Sequence, residues 1–405
     1  MKNMNPRLDA LHPYPFEKLR QLLASATPPS DLPPINLSIG EPKHATPPLV
    51  IDAMKASLEG LASYPPTKGD PELRAAMAAW IARRYGITAP DADTQILPVL
   101  GSREALFAFA QTVVDASQNP CVICPNPFYQ IYEGAALLAG AQPWYLNADA
   151  RRGHGYDWNG IPDDILARTQ LLYLCSPGNP AGNVLALDDW RRLFELSDEH
   201  GFIIAADECY SEIYFDEDHP PLGALEAAAR LGRGDFRRLI SFSSLSKRSN
   251  LPGLRSGYVA GDADILARFL LYRTYHGGAM SAVVARASIA AWNDEAHVVE
   301  NRRLYRDKFD AVLPLLTPVL DVERPQAGFF LWAPTPYEDT AFVRDLYAAT
   351  GVTALPGSFL ARESQGLNPG QRRMRIALVA PKEQCIEAAR RIAGFLTFSS
   401  IRTSP

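Results

Sequence analysis

One lysine, Lys247, stands in the segment SLSKRSNLPGLRSGY, Ser244 to Tyr258. Between Gly69 and Asp307 it is the only lysine, and the other strong bases of that span are arginines. Arginine stays protonated, whereas a lysine amine can lose its proton and attack a carbonyl. The competing reading is a solvated loop lysine. Other reactive types recur in the same setting, directly after an apolar run. In GFIIAADECY, Asp207 ends such a run, where a carboxylate is costly unless a cation pairs with it or it caps a helix. In LLYLCSPGNPAG, Asn179 lies between prolines, as an amide donor to a ligand or as part of a plain turn. After QILPVL, Gly101-Ser102-Arg103 opens a helix, and a helix N-terminus offers free N–H groups to an anion. Ser244, Ser246 and Arg255 add two hydroxyls and a guanidinium near the lysine. On the functional readings, the set offers an amine, an acid and donors for an anion.

Such groups must be brought together by the elements that carry them. TQILPVLGS, PCVICPNP, QLLYLCSPGNP, GFIIAADE, RRLISFSS and SGYVAGD read as strands ending in turn chemistry. SREALFAFAQTVVDAS and LDDWRRLFELSDEHG have helical apolar spacing, and Gly201 is placed to cap the second. Strand alternating with helix predicts a mostly parallel sheet covered on both faces, with ligands bound beyond the carboxyl ends of its strands. From Asp294 the texture changes. EAHVVENRRLYRDKFDAVLPLL reads as a long helix, GFFLWAP and RMRIALV as short strands, and KEQCIEAARRIAGFL as a closing helix. The expected division is an arm at 1–35, a large domain at 50–294, and a smaller α+β domain built from 36–49 and 295–405.

Composition excludes other classes. A net charge of −5 lacks the basic stripe of a nucleic-acid binder. No run reaches the roughly 18 apolar residues of a membrane span, and the N-terminus lacks a signal core. A cytoplasmic protein is expected. Five scattered cysteines suggest reduced thiols. Cys121 and Cys124 form a CxxC, but on a strand their Cα atoms would be about 10 Å apart, too far for a disulfide. The histidines show no ligand spacing, so no metal site is expected.

Pyridoxal phosphate would use the four strand ends that follow QILPVL, LLYLC, FIIAA and LISFS. It needs an amine to hold its aldehyde, a carboxylate facing its pyridine nitrogen and donors for its phosphate. SPGNPAG, AADECY and SLSKRSNLPGLRSGY, in this order, resemble the fold-type I, class I/II aminotransferases, and the resemblance runs from INLSIGEP to RMRIALVA. It implies an aspartate aminotransferase-like fold, with a seven-stranded, mostly parallel sheet and a smaller α+β domain. It also implies roles. Lys247 holds the cofactor covalently and then carries the proton, and Asp207 faces the pyridine nitrogen. Tyr210 and Asn179 donate to the ring's phenolic oxygen. Arg255, Ser244, Ser246 and the N–H groups of Ser102 and Arg103 hold the phosphate. Tyr129 stacks on the ring, with Phe128 as the alternative. Tyr64 reaches the neighbouring subunit's phosphate, which implies a homodimer with shared active sites. Arg375 grips the substrate α-carboxylate, with Arg373 as the competing choice, and Gly40 approaches that carboxylate with its backbone.

LHPYPFEKLRQLL, SLSKRSNLPGLRSGYVAGD and LPGSFLARESQGLNPGQRRMRIALVA are similar to the succinyldiaminopimelate aminotransferases of bacterial lysine synthesis. That resemblance implies amino transfer between N-succinyl-LL-2,6-diaminopimelate and 2-oxoglutarate. Arg248, Arg20 and Lys18 are then candidates for the substrate's far end. Other class I aminotransferases (aspartate, alanine or aromatic) and a β-lyase of the same fold are the alternatives. A transcription regulator would need a DNA-binding domain, for which an arm of about 35 residues is too short.

Overall fold

The computed structural model describes residues 4–402. Among the described residues twelve strands run in chain order: β1 (Ile35–Asn36), β2 (Ile96–Val99), β3 (Cys121–Asn126), β4 (Gln142–Asn147), β5 (Thr169–Cys175), β6 (Ile203–Asp207), β7 (Leu239–Ser244), β8 (Gly257–Gly261), β9 (Phe330–Pro334), β10 (Val352–Thr353), β11 (Leu355–Pro356) and β12 (Arg373–Ala377). Seven form one sheet in the order β2-β8-β7-β6-β5-β3-β4. β4, β3, β5, β6 and β7 pair in parallel. β8 is antiparallel to both of its neighbours, so it alone runs the other way.

The sequence explains the burial on both faces. Along β5, Leu171 and Tyr173 point into one apolar cluster and Leu172 and Leu174 into another. Side chains alternate faces along a strand, and a sheet with helices on both sides buries both sets. The helices Ser102–Val113, Ile131–Ala139 and Ala263–His276 supply the first cluster, through Phe109, Tyr132 and Phe269 among others. Pro71–Tyr85, Leu187–His200 and Ala282–Asn293 supply the second, through Trp80, Trp190 and Trp292. Gly201 ends the helix Leu187–His200 with φ 84°. Cys121 and Cys124 are buried on β3, and all five cysteines are free thiols.

The smaller α+β domain has its own core. β11, β12 and β9 form an antiparallel sheet, and β1 pairs with β10. Against them pack Ala296–Leu316, Asp339–Thr350 and the closing helix Lys382–Arg402. The first residues are not detached from this core. Pro15–Leu23 is a helix whose Leu19 is buried among the small-domain residues, while Arg7 reaches back to the Leu138 carbonyl. This segment therefore straps both domains. Among the described residues no helix is long and apolar enough to cross a membrane.

Candidate active site

Because β8 alone is reversed, the carboxyl ends of β2, β3, β5, β6 and β7 open on one edge, together with the start of β8. A cavity of about 590 Å³ lies there, closed by the small domain and by Tyr14, Pro15 and Phe16. Of the residues singled out in the sequence, it is lined by Ser102, Arg103, Tyr129, Asn179, Asp207, Tyr210, Ser244, Ser246, Lys247 and Arg255 from the large sheet's edge. Gly40 and Arg375 complete it from the other side. Tyr64 is fully exposed and lies outside it.

Lys247 lies in the short helix Leu245–Arg248 that follows β7. Its Nζ donates to the Gly40 carbonyl at 2.5 Å and lies 5.6 Å from the centre of the Phe329 ring. Lys247 lines the cavity, and burial lowers the pKa of its amine from the ordinary 10.5 to about 8. Asp207 ends β6 and is 4% exposed. It accepts from Tyr132 Oη at 2.7 Å and from the Cys209 N–H at 3.2 Å, and burial pushes its pKa up. It makes no ion pair among the described residues, and a buried carboxylate in that position suits a protonated pyridine nitrogen. Tyr210 is buried against the edges of Phe329 and Phe330, and burial raises its pKa.

At the cavity's other end the helix Ser102–Val113 starts, and its first N–H groups have no intrahelical partner. Gly101 has φ 82°, and a Cβ there would come 2.3 Å from Arg255 Nη2. Only glycine lets the guanidinium lie across this turn. Ser244 Oγ accepts from the Ser246 N–H at 3.0 Å and meets Ser246 Oγ at 2.8 Å. These donors, with an unpaired acid and an enclosed amine facing the same space, fit pyridoxal phosphate. Arg103 Nε donates to Tyr129 Oη at 2.6 Å, which sets that ring in the cavity wall. Phe128 is buried instead, stacked on Tyr145, so of the two neighbours only Tyr129 faces the site.

Arg375, on β12, is 4% exposed. It donates to Asn179 Oδ1 at 2.9 Å and to the Ser38 carbonyl at 2.8 Å, and its Nε is buried without a partner. It has no counter-ion among the described residues, and burial lowers its pKa to about 10. Arginine has only donors, so the oxygen of Asn179 must face it, and the amide's NH₂ is turned elsewhere. Arg373 donates to the Trp332 carbonyl and lines a separate cavity with His154 and Arg324. At Gly40 a Cβ would meet Phe330 Cζ at 2.7 Å.

The candidates for the substrate's far end fare differently. Arg248 is buried between the rings of Trp80 and Trp292 and bonded to Glu295, so it is a core residue. Arg20 is exposed and paired with Glu17, and Lys18 sits over Phe359 outside the cavity. Sequence reasoning missed Tyr132 and Tyr14. Tyr132 falls in the segment NPFYQIY, one helical turn after Tyr129, and that spacing was the available signal. Tyr14 has no local signal, because its place depends on how the first segment crosses the large domain.

Residues 33–392 match the family described as "Aminotransferase class I and II". A crystal structure of an aminotransferase from Neisseria meningitidis is 53% identical, with a TM-score of 0.94, over 97% of this chain and 100% of that one. An LL-diaminopimelate aminotransferase of Dehalococcoides mccartyi is 30% identical over 398 residues, 97% of this chain and 98% of its own. The same name is carried by relatives from Syntrophobacter fumaroxidans and Desulforudis audaxviator, each 31% identical. These names correct the expected succinylated donor. A more distant structure, from Thermus thermophilus, bears the words "probable N-succinyldiaminopimelate aminotransferase", at 26% identity and a TM-score of 0.79 over 90% of this chain and 95% of that one. Of the segments that suggested the succinylated substrate, LPGSFLARESQGLNPGQRRMRIALVA builds β11 and β12, and LHPYPFEKLRQLL contains the strap helix. With its fold, its cavity and a match over nearly its whole length, this chain belongs to the class I and II, fold-type I aminotransferases, enzymes that depend on pyridoxal phosphate.

Proposed function

We propose that this enzyme moves the α-amino group of an amino acid to a 2-oxo acid, with LL-diaminopimelate as the first donor to consider. The observation that carries the reading is Arg375. A buried guanidinium without a counter-ion is costly, and a substrate α-carboxylate arriving in the cavity would pair with it in two parallel bonds. The donor's identity is taken from the names of the relatives.

Lys247 would hold the cofactor through Nζ, with Asp207, Tyr210 and Asn179 around the ring and Tyr129 against its face. Ser102, Arg103, Ser244, Ser246 and Arg255 would hold its phosphate. When bound, pyridoxal phosphate supplies an aldehyde that condenses with amines and a ring that draws electrons from the substrate α-carbon. Arg375 and the Gly40 backbone orient the substrate by its carboxylate. Lys247 Nζ, once free, takes the α-proton, and a pKa of about 8 leaves part of it neutral and basic near neutrality. Tyr14, Pro15, Phe16 and Phe330 restrict water.

We also propose a cytoplasmic homodimer, with an arm at 1–35 and domain limits at 50 and 294. The exposed apolar side chains Leu58, Leu61 and Tyr64 support an interface. Mixing Tyr64→Phe chains with Lys247→Ala chains checks the shared site. Hybrid dimers should hold one site with both defects and one with neither, and independent loss in each chain counts against sharing.

A panel of amino donors with 2-oxoglutarate tests the reaction. LL-diaminopimelate should outrun aspartate, alanine and the aromatic amino acids. Ammonia release from cystathionine without amino transfer would replace the reading with a β-lyase.

A further inference from the structure

Asn301 lies on the helix Ala296–Leu316 and is 1% exposed. Its Nδ2 donates to the carbonyls of Lys247, at 3.1 Å, and Arg248, at 3.3 Å. Its Oδ1 accepts from Asn250 Nδ2 at 2.9 Å and lies 2.8 Å from His44 Nδ1. An amide oxygen only accepts, so His44 Nδ1 carries the hydrogen. Every hydrogen-bonding position of the buried amide is therefore used. His44 belongs to the same loop as Gly40, whose carbonyl accepts from Lys247 Nζ. Lys247 is thus held twice by one segment, at its amine by Gly40 and at its backbone by His44 through Asn301.

We propose that Asn301 is a positioning residue that locks the turn carrying Lys247 to the segment 40–44, so that the reacting amine and the carboxylate-binding loop move as one unit. The inference rests on Lys247 being the reacting amine. Without the amide, two buried carbonyls lose their donors and the turn is free to loosen. The amine faces Asp207, Cys209, Glu41 and Arg375, and His44 faces Lys308, Glu300 and the Tyr305 ring. Burial holds His44 down to about 4, so the relay is uncharged at neutral pH.

The test uses an amine-reactive label on the cofactor-free protein, with the Lys247 peptide followed by mass spectrometry as pH is varied. In Asn301→Ala the labelling midpoint should rise by about one pH unit, because a loosened amine regains water. In the loaded enzyme kcat should fall about tenfold while KM stays within about twofold. His44→Phe should shift the midpoint in the same direction, and His44→Gln, which keeps a hydrogen donor, should recover it. A purely structural role would lower the melting temperature and leave the midpoint in place. If Asn301→Ala fails to fold, the two His44 variants decide. An unshifted midpoint in folded Asn301→Ala or His44→Phe overturns the inference. Lys247→Ala separates the two claims: if it keeps full turnover the underlying reading fails, whereas its inactivity beside a parental Asn301→Ala sinks the present inference alone.

Discussion

Asp207, Ser244, Ser246, Lys247 and Arg255 stand at neighbouring strand ends of a single sheet buried on both faces, and the bonds between those strands fix their spacing. The opposite wall is assembled from pieces. Arg375 comes from β12, Ser38 and Gly40 from the stretch after β1, Asn179 from the loop after β5, and Tyr14 from the strap. The floor is rigid because β6, β7 and β8 each have a neighbour on both sides, whereas the wall depends on two domains and a strap keeping their places. On the proposed reading, the floor carries the chemistry and the wall selects the substrate.

The floor should fail most completely. Lys247→Ala should abolish both the visible absorption of the bound cofactor and amino transfer; turnover at parental rates would mean that the sheet edge does not carry the chemistry. The wall should fail by degrees. Arg375→Ala should cost about 2–5 kcal/mol in kcat/KM for donor and oxo acid alike, the range for breaking a buried charge pair. Arg373→Ala should stay within about 0.5 kcal/mol. Kinetics that reverse the two arginines would move the carboxylate grip to the second cavity.

A pH effect distinguishes the floor in the cofactor-free protein. The folded pKa of Lys247 is about 8, against an ordinary 10.5. Between those values the unfolded chain binds more protons, so stability should rise with pH across that window. Below about 8 the penalty of burying the charged amine is present in full. The rise amounts to about 3 kcal/mol, from 1.4 kcal/mol per pH unit. Urea unfolding of the parent and of Lys247→Met measures it. Equal slopes in the two proteins would show that the amine is not enclosed.

The same contrast explains what was legible in the sequence. Residues such as Asp207 and Lys247 could be placed because they directly follow apolar runs, and strand–helix alternation brings such ends together. Arg375 could be distinguished from Arg373 only through Asn179 and Ser38, which are distant in sequence. Arg248 looked available because it neighbours the reactive lysine, yet a helical turn points successive side chains apart, and it is buried between two tryptophans. Tyr14 and the donor were illegible for one reason. The wall has no motif, and its members meet only when the domains and the strap have packed.

The central claim is that the sheet edge presents one amine, at Lys247, to the cofactor. Loading the protein with pyridoxal phosphate, reducing the lysine–cofactor linkage with borohydride and mapping the modified peptide by mass spectrometry tests it directly. The account predicts a single stoichiometric modification on Lys247. A label on Lys43, Lys68 or any other lysine, with Lys247 unmodified, would contradict it.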